Sequence, residues 1–209
     1  MGKALSLIVI GGAAFWAYKQ GHLAPVLDAL NIESPAVEAG QDAEVVPAVA
    51  AKPLPAKTGV SPYEALLIEH DMWVSGWASQ NRELVAAIMR TENAAMNPNA
   101  KGPVDEWGVM QVRPATAQWM ADSGYTRLAP TQANLRTERG GIYFGTAYLE
   151  FLARRYPGKG QDWLIRAYNG GPGWESSSST AQSNTAKYLA TVKKNLRRNR
   201  DQYGQGVLA

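Results

Sequence analysis

Glu92 is the residue in this chain best placed by spacing to do acid–base chemistry. It follows Leu84 and Ile88 at four-residue intervals, so one helical face carries two aliphatic side chains and then a carboxylate. Asn93 and Asn97-Pro98 stop the helix just beyond it. Apolar surroundings and the negative end of the helix dipole both raise a carboxyl pKa. A carboxyl that keeps its proton near neutrality can act as a general acid. Read by position alone, Glu92 is more often a surface residue that closes a helix. Two further segments bear on the choice. Trp107-Gly108-Val109-Met110-Gln111 is a glycine-containing turn with an apolar residue and a carboxamide. In it Gln111 can bind an acetamido or hydroxyl group, and Met110 and Trp107 can wall a sugar ring. Ala167-Tyr168-Asn169-Gly170-Gly171-Pro172-Gly173 ends a helix in a glycine-rich turn. There Tyr168 can orient a carboxylate, and Asn169 offers both a donor and an acceptor. Taken singly, Met110 reads as core, Trp107 as a buried aromatic and the glycines as a helix stop.

Composition excludes several other chemistries. With no cysteine among 209 residues there is no thiol nucleophile and no cysteine-held zinc or iron–sulfur cluster. Two histidines, His22 and His70, poorly support a serine–histidine–aspartate machine or a multi-histidine metal site. No metal or organic cofactor is expected. The net charge is +3, and residues 63–209 hold 17 basic against 13 acidic side chains, leaving +4. A mildly basic body suits an anionic partner such as a bacterial cell wall and does not imply nucleic acid.

The elements that must position these residues read as mainly helical. Ser61-Pro62-Tyr63-Glu64 is a capping box with proline at the first helical position. Leu66, Leu67, Trp73, Val74 and Trp77 mark a first helix, and Asn81 can cap a second that runs to Glu92. Pro114 to Met120 gives a third and Ile142, Leu149, Leu152 and Tyr156 a fourth. Asp162 can cap a fifth through Tyr168, and a last helix covers 186–198. Residues 99–113 suggest a small irregular hairpin. The basic residues Lys187, Lys193, Lys194, Arg197, Arg198 and Arg200 read as a solvated face or as a contact for anionic wall polymer or lipid.

The N-terminus differs in kind. Ala4 to Tyr18 is uncharged and flanked by Lys3 and Lys19. Fifteen helical residues cover about 22 Å, short of a hydrocarbon core of about 30 Å. Snorkelling lysines, Trp16, Tyr18 and the apolar stretch out to Leu30 can close that gap. No small-x-small site follows Tyr18, so residues 1–30 read as an uncleaved membrane anchor rather than a signal peptide. Residues 31–60, with Pro35, Pro47, Pro53 and Pro55, read as a linker, and 61–209 as the folded domain.

In order and spacing the motifs resemble the lytic transglycosylase catalytic domain of the lysozyme superfamily, of the soluble-lytic-transglycosylase type. That family carries Glu-Ser at a helix end, then Asn-Pro, Gly-Leu-Met-Gln and Pro-x-Thr-Ala. An Asn-Ile…Gly-Thr-x-Tyr-Leu helix and an Ala-Tyr-Asn-x-Gly turn follow. This chain has Glu92-Asn93, Asn97-Pro98, Gly108-Val109-Met110-Gln111 and Pro114-Ala115-Thr116-Ala117. It continues with Ile142…Gly145-Thr146-Ala147-Tyr148-Leu149, Ala167-Tyr168-Asn169-Gly170-Gly171 and a Thr185…Tyr188 segment like the family's downstream tyrosine helix. The resemblance spans roughly 63–200. Two departures stand out. Asn93 replaces the usual serine, and 102–107 is bulkier, with Asp105 and Glu106 read as surface-loop charges.

The resemblance implies a lysozyme-like domain acting on peptidoglycan glycan strands. Glu92 would be the catalytic acid and then base, held by Tyr168. Gln111, Met110, Asn169, Trp107 and Asn93 would bind or orient sugar. A hydrolase like goose-type lysozyme, with Asp105 or Glu106 as a second carboxylate, and a non-catalytic wall-binding protein remain open beside it. An anchor, a spacer and one catalytic domain suit a membrane-anchored protein facing the periplasm and wall, either an envelope-complex enzyme or a bacteriophage virion component.

Overall fold

The computed structural model describes residues 59–203. The anchor expected at 1–30 and nearly all of the linker expected at 31–60 lie outside the described residues. Among the described residues the chain is helical, with no β-strand longer than an isolated bridge, and no helix is long and apolar enough to cross a membrane.

The helices are α1 (Pro62–Glu69), α2 (Gly76–Gln80), α3 (Arg82–Glu92), α4 (Pro114–Asp122), α5 (Gln132–Leu135), α6 (Glu138–Arg155), α7 (Gln161–Gly170) and α8 (Ser179–Tyr203). The capping box forms at α1: Ser61 Oγ accepts from the Glu64 amide at 3.2 Å, and Glu64 Oε2 accepts from the Ser61 amide at 3.1 Å. The first expected helix divides. His70 ends α1, a short 3-10 turn covers Asp71–Trp73, and Ser75 caps α2 by accepting from the Ala78 amide. Local caps thus override the apolar pattern that joined Leu66 to Trp77. Asn81 precedes α3 as expected, but its side chain turns back to donate to the Trp77 carbonyl at 2.8 Å instead of capping. Asp162 lies inside the first turn of α7, where Gly160 is the N-cap.

The core runs through α3, α6 and α7, with α8 laid over it. Val85, Ile88, Met89, Ile142, Phe144, Leu149, Leu152 and Ile165 are fully or almost fully buried in it. The α6 helix is the longest buried rod, and α4, α5 and α7 pack along it. The α8 helix lies across α3 and α7. Its seam runs through Thr185, Val192 and Asn199, seven residues apart and all buried, with Tyr188, Leu189 and Leu196 at the intervening three- and four-residue steps. Polar clips fix its register. Arg90 donates to Asn199 Oδ1 at 2.5 Å, Asn195 donates to Thr91 Oγ1 at 2.9 Å, and Arg166 donates to Thr185 Oγ1 at 3.0 Å.

The expected hairpin at 99–113 is a loop with two isolated bridges, Lys101 to Trp107 and Trp107 to Val112. Gly108 sits there at φ +79°, in the left-handed region, and a Cβ on it would meet the Leu135 carbonyl at 2.3 Å. The glycine of this turn therefore lets the loop lie on the end of α5.

Candidate active site

Glu92 is the last residue of α3, and its carboxyl is enclosed where α3, α6, α7, α8 and the 102–113 loop converge. The apolar face of α3 turns it inward, as Leu84 and Ile88 on that face are buried. Tyr188 of α8 donates a hydrogen bond of 2.5 Å to Glu92 Oε1. Burial pushes the carboxyl up to about 7; the Tyr188 hydrogen bond works against that push, and the charge of Glu106 adds to it. Burial and the neighbouring Glu92 in turn raise the Tyr188 phenol well above its ordinary range, so it stays a donor.

A small cavity of about 90 Å³ opens on this carboxyl, lined also by Glu106, Gln111, Thr116, Tyr148, Tyr168 and Asn169. Cavities of about 400 and 370 Å³ lie elsewhere, one bounded by Trp77, Tyr156 and Trp163 and the other by Met72, Tyr125 and Phe151. Neither contains Glu92, so the carboxyl rather than size singles out the smaller one. Among the described residues no group of His, Asp and Glu side chains is arranged to hold a metal.

The structure redistributes the expected roles. Tyr168 lines the cavity, but its proton goes to the Met110 carbonyl at 2.8 Å; the phenol that donates to Glu92 is Tyr188. Tyr168 therefore ties α7 to the Gly-Val-Met-Gln turn. The Met110 side chain is fully buried and cannot wall a sugar. It packs beneath Gly145 of α6, where a Cβ would stand 2.6 Å from Met110 Sδ and 2.7 Å from its Cβ. Trp107 is also buried, its indole donates to Asp105 at 3.1 Å, and Lys101 and Arg136 lie 5.0 and 5.2 Å from its ring centroid. It has no open face for stacking. Asn93 is buried as well. Its amide donates to the Asn97 and Gly108 carbonyls at 2.7 and 3.2 Å, and its oxygen accepts from the Asn97 amide at 3.3 Å. It fastens the loop rather than a ligand. Gln111 and Asn169 do reach the cavity. Gln111 is held at φ +48° by bonds from its Nε2 to the Ala100 and Gly108 carbonyls, which leaves its Oε1 as the acceptor.

Two groups beside Glu92 take roles that the sequence left open. Tyr188 had a signal, the Thr185…Tyr188 segment, whose seven-residue seam to Val192 and Asn199 puts it on the inner face of α8. Glu106 reads from the sequence, like Asp105, as a surface-loop charge or as the second carboxylate of a hydrolase. It faces the cavity, while its neighbour Asp105 is exposed and paired with Lys101 at 3.1 Å.

The site is a glutamate at the end of α3, hydrogen-bonded to a tyrosine of α8, in a helical body. Residues 76–191 match the family described as Transglycosylase SLT domain, more than half of the chain, and the chain belongs to that family. Over 91 residues it is 36% identical to the soluble lytic murein transglycosylase of Escherichia coli (strain K12), which covers 42% of this chain and 13% of the relative. The protein of the same name from Escherichia coli O157:H7 gives the same figures. The chain thus matches well under two thirds of these relatives' length. No solved structure matches significantly.

Proposed function

We propose that this protein is a peptidoglycan lytic transglycosylase that cleaves the β-1,4 bond between N-acetylmuramic acid and N-acetylglucosamine. The observation that carries this reading is the Glu92 carboxyl, raised to about 7 by burial at the wall of a cavity in an SLT-family domain. In the reaction Glu92 gives its proton to the glycosidic oxygen as the C1–O bond breaks. The acetamido oxygen of the muramyl residue stabilises the electron-poor C1, so no protein nucleophile is required. Glu92, now a carboxylate, takes the proton of the C6 hydroxyl, whose oxygen closes onto C1 and gives a 1,6-anhydro end. Tyr188 steadies the carboxylate between the two steps, when its hydrogen bond is strongest. Gln111 Oε1 and Asn169 bind the sugar from the cavity wall.

Glu92→Gln keeps the shape and removes the transferable proton. It should abolish release of soluble fragments from purified peptidoglycan while leaving sedimentation with the wall nearly unchanged. Equal lysis by the variant overturns the assignment. Mass spectrometry of the released muropeptides separates the chemistries. Anhydro ends support the lyase, and reducing ends would mean that water replaces the C6 hydroxyl, a reading favoured only by the presence of Glu106 in the cavity. From the sequence alone we further propose that residues 1–30 anchor the domain in a membrane and that 31–60 give it reach to the wall, in an envelope or virion setting.

A further inference from the structure

The insertion at 102–107 does more than enlarge a loop. Glu106 Oε2 accepts from the Val104 amide at 3.1 Å, the Glu106 carbonyl accepts from the Gly102 amide at 2.8 Å, and Arg113 Nε stands 3.7 Å from Glu106 Oε1. Arg113 also donates to the Val104 carbonyl through Nε and Nη2, at 3.1 and 2.9 Å. The carboxylate is thereby fixed on the wall that Glu92 shares. A Cβ on Gly102 would meet Glu106 Oε2 at 2.5 Å and Gln111 Oε1 at 2.7 Å, so bare backbone is what lets the two acceptor oxygens converge.

The titratable and charged groups around Glu92 come from four places: Tyr188 on α8, Tyr168 on α7, Tyr148 on α6, and Glu106 with Arg113 on the loop. The first three are phenols. The formal charges on the cavity wall, Glu92 aside, belong to the loop pair. We propose that Glu106 is a positioning residue for the acid step: its fixed negative charge holds the proton on Glu92 until the glycosidic oxygen takes it, and Arg113 limits how much of that charge Glu92 feels. Like charges in one poorly hydrated site resist joint ionisation. The upward push that Glu106 exerts on Glu92 has the same sign. This inference rests on Glu92 being the acid.

The test is the pH dependence of kcat/KM on purified peptidoglycan, measured with the full chain. Activity falls as pH rises through the Glu92 pKa, because the free enzyme must carry the proton. Glu106→Gln removes a negative neighbour, so the alkaline limb should move down by roughly half a pH unit, about a threefold loss at pH 8 relative to pH 6. Arg113→Gln removes a positive neighbour and should move the limb up, whereas Glu106→Asp should keep it near the wild-type position. A loop that merely needs support would shift both neutral variants the same way or neither, and either result overturns the proposal. If Glu106→Gln is inactive at every pH, carbon-13 titration of the Glu92 carboxyl in that variant decides, with an unlowered midpoint overturning it. If Glu106→Gln does not fold, the Arg113→Gln limb decides, and a limb that stays or falls overturns it. Lysis by Glu92→Gln would sink the parent reading; an inactive Glu92→Gln with unmoved limbs sinks this inference alone.

Discussion

A glutamate that keeps its proton near neutrality destabilises the fold that encloses it, and Glu92 makes this measurable. Its folded pKa is about 7 against an ordinary 4.5, so the native state binds the proton more tightly than the unfolded chain. That advantage is full below about 4.5 and is lost as pH rises through 7. The enclosed carboxylate therefore costs about 3 kcal/mol at most by pH 8. Glu92→Gln should melt several degrees above the wild type at pH 8, with the gap closing near pH 5, as read by thermal unfolding across pH. A gap that does not change with pH would mean the carboxyl is well hydrated. At this scale the sequence was partly legible. The four-residue period from Leu84 placed Glu92 correctly, but choosing its partner between two tyrosines, Tyr168 and Tyr188, required knowing which phenol had another acceptor within reach. Met110, Trp107 and Asn93 misled for one reason. Their types suit sugar binding, and only packing reveals that their surfaces are already used.

The elements hold the site by close approach more than by charge. The α6 helix reaches the Met110 turn because Gly145 has no side chain, and that turn offers the carbonyl on which Tyr168 is anchored. Gly145→Ala would press a methyl group against Met110 Cβ, which cannot swing away as its Sδ can. The expected loss is about 2 kcal/mol of stability, seen as a lower Tm, together with reduced lysis as Tyr168 loses its seat; an unchanged Tm would show that the contact relaxes freely. Helix positions were legible where caps and apolar periods agreed, as at Ser61 and along 142–152. They failed where a local cap competed with a longer pattern, as at Ser75, and where length was set by packing, as in α8, which runs from Ser179 to Tyr203. The short α5 carries too few residues to show a period.

At the level of the molecule, the site joins parts far apart in sequence, Tyr188 lying 96 positions after Glu92. Motif order could announce the family, but the meeting of Glu106 with Glu92 depends on how an insertion folds. The α8 helix closes the arrangement, being clipped to α3 by Arg90 and Asn195 and by the Arg200–Glu83 ion pair at 2.6 Å. A chain ended after residue 178 should lose lytic activity and cooperative melting together, because the faces of α3 and α7 that α8 covers would meet solvent; a sharply melting, active fragment would refute that dependence. The same arrangement bears on how the protein is made. At a translation rate of about 5 to 20 residues per second, Tyr188 emerges about 5 to 20 s after Glu92. Throughout that interval the Glu92 carboxyl is without its hydrogen-bond donor. Any product that ends upstream of Tyr188 lacks the phenol that donates to Glu92.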